Sequence, residues 1–203
     1  MKITILTLFP EMFDGFLNTS IIRRAIAKGI VDIKPLQIRD FTKDKYGRTD
    51  TPPIGGGAGL IQKCQPIVDA LKEVKTPSSH VVLFSPRGKT YNQKIAKEYA
   101  KLNHLVLICG HYEGIDERVN DYVDELLSIG DYILTGGEIP AMAVTDSVTR
   151  LLEGAISKDS LVDESFSDET LEYPQYTEPY EYDGKTVPDI LYSGNHEAIK
   201  KWR

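Results

Sequence analysis

Two stretches decide the fold: His104-Leu-Val-Leu-Ile-Cys109-Gly110-His111-Tyr112-Glu113-Gly114 and Ser128-Ile129-Gly130-Asp131-Tyr132-Ile133-Leu134-Thr135-Gly136-Gly137-Glu138. The first is a continuous apolar run entering a glycine-bounded loop, the pattern of a strand buried on both faces whose end opens on a ligand site. The second repeats that pattern and leads into a helix. Glycines at 110, 114, 130, 136 and 137 permit tight turns and let a flat ligand come within hydrogen-bonding distance of main-chain groups. Thr135-Gly136-Gly137-Glu138 also spells a capping box, which predicts a helix from Gly136 with its first N–H groups beside the loop.

Upstream, residues 2–9 read as a buried first strand stopped by Pro10, and residues 18–28 carry Ile21, Ile22, Ala25 and Ile26 at helical spacing before Gly29. Residues 31–38 return as a strand that Pro35 assigns to an edge or a bulge. Residues 40–51 are polar and basic, hence a loop, followed by the glycine and proline tract of residues 52–59. A helix over 66–74, a short strand over 80–84, a turn over 85–90 and a helix over 92–102 come next. Beyond the first glycine loop, residues 116–123 read as a short helix, 125–127 as a strand and 139–152 as an amphipathic helix. Strands alternating with helices predict an α/β fold built on a parallel sheet.

Gly88-Lys89-Thr90 ends like a phosphate-binding loop, but the required upstream glycine would fall at position 83, which is Leu83. No strand end carries G-x-G-x-x-G either, so nucleotide hydrolysis and dinucleotide chemistry are disfavoured. Cys64 and Cys109 lie far apart with no C-x-x-C and no zinc spacing, consistent with reduced thiols in a cytoplasmic protein. The apolar N-terminal stretch is too short for a secretory signal, and no run is long enough to span a bilayer.

The net charge of −6 argues at first against a nucleic-acid partner. The charge is unevenly distributed, however. Residues 157–189 hold ten acids against Lys158 and Lys185, so the remainder of the chain is slightly basic. Residues 23–48 hold eight bases against Asp32, Asp40 and Asp44, a patch that could hold RNA, although a charge run is more often a solvated face.

Taken in order, Leu8-Phe9-Pro10-Glu11-Met12-Phe13, the glycines of residues 55–59, Ser85-Pro86, residues 110–118 and 128–141, Pro174-Gln175-Tyr176-Thr177, and Val187-Pro188 with Ser193-Gly194-Asn195-His196 resemble the bacterial tRNA (guanine-N1)-methyltransferase family. That resemblance implies a parallel sheet flanked by helices, with a deep C-terminal trefoil knot forming the cofactor pocket. It implies a knotted cofactor-binding domain over residues 1–156, an acidic linker over 157–170, and over 171–203 the start of a small helical RNA-binding domain, incomplete relative to the family. S-adenosylmethionine would lie against Phe84, Ser85, Pro86, Gly110, Tyr112, Ser128, Ile129, Gly130, Asp131, Tyr132, Ile133, Leu134, Gly136 and Gly137. Glu113 would read the guanine edge, Glu164 would take the N1 proton and Arg150 would assist.

The resemblance also implies tRNA as partner, no membrane, and a homodimer with its active site at the subunit interface. It assigns no metal ligands, while suggesting magnesium as a further requirement. Glu164 stands where the family carries Asp, Glu178 where it carries Arg, and Thr51 and Ile54 where it carries Asp and an aromatic residue. Two alternatives stay open at this stage: a member that binds cofactor but transfers methyl weakly or not at all, and a related knotted methyltransferase acting on another RNA.

Overall fold

A computed structural model describes residues 1–157 and 173–202. The first unit, Met1–Lys158, is built on strands β1 (Lys2–Thr7), β2 (Asp32–Gln37), β5 (Ser79–Thr90), β6 (His104–Ile108) and β7 (Glu125–Ser128). They form one parallel sheet in the order β2-β1-β6-β5-β7. The central β6 has every residue buried, and its neighbour β1 has five of six. Their side chains alternate between two cores. Ile3, Ile5, Leu105 and Leu107 pack with α2 (Ser20–Ala27), α4 (Gln93–Tyr99) and α5 (Glu138–Thr149). Leu6, Val106 and Ile108 face the other way, onto α3 (Cys64–Val74). Each such side chain contributes about 1.5–3 kcal/mol by leaving water, so covering both faces stabilises the unit without a disulfide; both cysteines are free thiols.

Pro35 does lie on an edge strand, β2. A short helix α1 (Asp14–Leu17) precedes α2. At the end of α2, Gly29 is left-handed at φ 69°; its N–H donates to Ile26 O, and Ile30 N–H donates to Ala25 O, which satisfies the last carbonyls of the helix. The loop expected over 40–51 ends in β3 (Asp50–Thr51), antiparallel to β4 (Ile61–Gln62). The glycine tract is therefore the tip of a small hairpin.

Two expectations are corrected. The strand expected to stop at residue 84 continues as β5 to Thr90, because Phe84 and Lys89 both stand opposite Leu127 and residues 85–88 are extruded between them. Gly88 makes this possible: a Cβ there would collide with the backbone of Leu126 and Leu127. The capping box does not form. Helix α5 starts at Glu138 with Gly137 as its N-cap and no side-chain cap bond. Glu138 turns inward instead and accepts a 2.8 Å hydrogen bond from Thr7 Oγ1 at the end of β1.

The second unit carries a hairpin, β8 (Glu181–Tyr182) with β9 (Lys185–Thr186), and the helix α6 (His196–Trp202). Its own pocket of ≈ 380 Å³ is lined by Tyr176, Glu178, Tyr192 and Trp202 among others. No helix among the described residues is long and apolar enough to cross a membrane.

Candidate active site

All five strands of the main sheet run the same way, so the loops after β6 and β7 and the extruded segment of β5 emerge at one end. Together they enclose a cavity of ≈ 570 Å³, a size that suits one small-molecule ligand. Fourteen of the fifteen residues expected at the cofactor and guanine positions line it: Phe84, Ser85, Pro86, Gly110, Tyr112, Glu113, Ser128, Ile129, Gly130, Tyr132, Ile133, Leu134, Gly136 and Gly137. Asp131 is exposed and is not part of the wall.

The loops are held by backbone contacts that tolerate little change. Gly137 N–H donates to Gly110 O at 2.8 Å, and a Cβ on Gly137 would stand 2.6 Å from the α-carbon of Cys109. Tyr112 adopts φ 61°, a left-handed conformation that costs a non-glycine residue about 1 kcal/mol or more. That turn carries Glu113, whose N–H donates to Leu60 O at 3.0 Å. The hairpin of β3 and β4 is stitched to the same loop, with Gln62 N–H donating to Gly114 O and Gln62 Oε1 accepting from His111 N–H.

Sequence reasoning missed part of the wall. Ile61, Leu83, Ile115, Leu127 and Pro140 supply apolar surface, and His111, Arg87, Glu117 and Asn120 supply polar groups. Arg87 and Glu117 form a two-pronged ion pair with N–O distances of 2.7 and 3.2 Å, joining the extruded segment of β5 to the turn that follows the first glycine loop. The Arg87 hydrogen bond holds the Glu117 carboxyl below its usual range. The pair joins residues thirty apart in sequence, so no local spacing announces it. Burial first, and the Glu138 carboxylate second, push the Cys109 thiol well above its ordinary range, which makes it an inert core residue.

Arg150 lies outside this wall, as the C-cap of α5. Twelve helical residues separate it from Gly137, about 18 Å along the axis. Glu164 and Asp163 lie outside the described residues. The basic stretch is partly neutralised: Arg48 pairs with Asp44 inside it, and Lys43 pairs with Asp69 on α3. Tyr46, 70% exposed, has Lys45 and Arg48 over its ring.

A parallel sheet whose strand ends open through glycine loops into one cavity defines an α/β protein with a small-molecule site at the carboxyl edge. A family model described as tRNA (Guanine-1)-methyltransferase TrmD matches residues 1–203. The tRNA (guanine-N(1)-)-methyltransferase of Malacoplasma penetrans is 56% identical over 203 residues, covering 100% of this chain and 90% of that protein. Its counterparts from Dictyoglomus turgidum and Caldicellulosiruptor saccharolyticus are 53% and 54% identical, with 100% of this chain matched to 83% and 84% of theirs. The chain belongs to the tRNA (guanine-N1)-methyltransferase family.

Proposed function

We propose that this protein transfers a methyl group from S-adenosylmethionine to N1 of the tRNA guanine just 3′ of the anticodon. The observation that carries this reading is the family match along the whole chain, and the cavity supports it. Its glycine loops offer main-chain donors and acceptors beside apolar walls, which fits a ligand with an adenine, a ribose and an amino-acid tail. When bound, the sulfonium supplies an electrophilic methyl.

The protein's own part is to hold, orient and deprotonate. Glu113 accepts from the N–H donors of the guanine edge. Glu164 takes the proton from N1 as that nitrogen accepts the methyl group. Arg150 steadies the charge that develops on O6.

The reading includes a trefoil knot through the cofactor loops. It is supported by the backbone-to-backbone approach at Gly88 and Gly137, where threaded segments would leave no room for a side chain. It also includes a homodimer. Arg150, at the far end of α5, lies about 15 Å along the helix axis from Pro140 in the pocket wall, which supports a site that a second copy completes. Sedimentation at micromolar concentration with S-adenosylhomocysteine present should give twice 22.7 kDa, and a monomer would overturn the shared site. Among the described residues no group of three or more His, Cys, Asp or Glu side chains is placed to hold a metal ion.

The test is methyl transfer from labelled S-adenosylmethionine to an unmodified tRNA transcript, followed by mapping of the product. N1-methylguanine at the expected position is the predicted result. Retained binding of S-adenosylhomocysteine without any transfer would overturn the reading.

A further inference from the structure

Beneath the first glycine loop, three elements bring polar side chains together that the reaction described above does not use. Glu138, in the first turn of α5, is 2% exposed. Thr7 Oγ1 accepts from Phe9 N–H at 2.9 Å and so directs its own hydrogen to Glu138 Oε1 at 2.8 Å. That geometry commits Oε1 as an acceptor. His111, on the cavity wall, packs its ring against Phe9 at 4.8 Å and Tyr112 at 5.0 Å. Its Nδ1 is buried and, among the described residues, has no hydrogen-bond partner.

Gly136 brings a carboxylate oxygen close to that nitrogen. A Cβ on Gly136 would collide with Oε2 of Glu138 and stand 2.7 Å from Nδ1 of His111, so both atoms crowd the same face of the glycine. Both atoms lie within 3 Å of that one position, which puts them within reach of a single bridging water. The His111 and Gly136 backbones already pair as an isolated antiparallel bridge, which holds the two sides in register. A buried imidazole nitrogen facing a carboxylate oxygen is satisfied as the donor. The proton on one ring nitrogen then fixes the role of the other.

We propose that Glu138 is a positioning residue that acts through His111: it holds the imidazole in the Nδ1–H tautomer and leaves Nε2 as a lone-pair acceptor in the wall of the ligand cavity. Such an acceptor suits an N–H donor of a bound purine. The proposal rests on the methyltransferase reading only for the identity of that purine; the tautomer is a property of the protein alone.

The test is a long-range ¹H–¹⁵N spectrum of the full chain labelled at its four histidines, recorded without RNA. Wild-type His111 should show a protonated Nδ1 and an unprotonated Nε2. In Glu138→Gln, the donor from Thr7 claims the amide oxygen, so the amide NH₂ is left facing Nδ1 and the tautomer should reverse. Cofactor binding or methyl transfer should then fall by about 10-fold or more, the lower end of the range for residues that orient metal-binding histidines, and Glu138→Asp should recover part of the loss. Protonation at Nε2 in the wild type overturns the proposal even if the variants fail to fold. An unchanged tautomer in Glu138→Gln overturns it as well, as does a reversed tautomer with ligand binding and transfer intact. Failure of methyl transfer in the wild type would sink the functional reading and leave this spectrum interpretable.

Discussion

The side chain of Glu113 lies directly over Gly59: a Cβ on that glycine would collide with Cγ of Glu113 and stand 2.8 Å from its Oε1. The tip of one hairpin thus sets where a carboxylate from another loop can rest. Gly59→Ala should displace Glu113 and add backbone strain, because Gly59 sits at φ 73°. The expected outcome is a fall in methyl transfer of about 10-fold or more with the affinity for S-adenosylhomocysteine changed little. Calorimetric titration beside a transfer assay reads both, and equal losses in the two would show that Glu113 serves the cofactor and not the base.

Gly137 faces a harder obstacle, since the neighbours of its missing side chain are main-chain atoms, Cys109 Cα at 2.6 Å and Gly110 N at 3.0 Å. Backbone cannot rotate aside as a flexible side chain can. Gly137→Ala should therefore push the two glycine loops apart and destabilise the unit by about 1–3 kcal/mol. Cofactor binding should be lost before the fold is. Thermal unfolding with and without S-adenosylhomocysteine checks this, and a variant that the ligand stabilises as much as it does the wild type would refute it.

Much of the fold was legible because buried parallel strands leave a strong signal. The run from His104 to Ile108 has no polar interruption after its first residue, and β6 lies at the sheet centre. The glycines at 130, 136 and 137 marked the cavity because each is required by a close approach or a turn in the chain. What sequence pattern missed depends on tertiary contact. Thr135 and Glu138 have capping-box spacing, yet burial of Glu138 against Thr7, 131 residues away, overrides the local bond. Arg87 and Glu117 meet only because β5 extrudes four residues in mid-strand. His111 stood inside a quoted motif, but its significance lies in a glycine and a glutamate from a different loop.

His104, far from the cavity, makes stability depend on pH. It is buried between Ser79 Oγ at 2.7 Å from Nδ1 and Thr4 Oγ1 at 2.9 Å from Nε2. Burial first, and the nearby Lys2 charge second, lower its pKa below the usual 6.5. The unfolded chain therefore takes up this proton at a higher pH than the folded one. Its stabilising contribution is complete above about pH 6.5 and is lost as pH falls toward the folded value. Urea midpoints measured from pH 7.5 down to 5.5 should drop more steeply for the wild type than for His104→Gln, which cannot titrate. Matching slopes would remove His104 as the cause.

The last prediction concerns Glu164, which lies outside the described residues and whose proposed role as base rests on its place in Asp163-Glu164-Ser165-Phe166, at the position where the resemblance puts the family's Asp. Glu164→Gln keeps size and hydrogen bonding but removes proton affinity. Binding of S-adenosylhomocysteine should survive while turnover falls by about 10²-fold or more. Glu164→Asp should do no harm, since it restores the side-chain length the family carries there. Asp163→Asn is the control and should be nearly silent. Should Asp163→Asn abolish transfer while Glu164→Gln leaves it intact, the base sits one residue earlier. If neither change matters in an active enzyme, both carboxylates are solvated bystanders and another group takes the N1 proton.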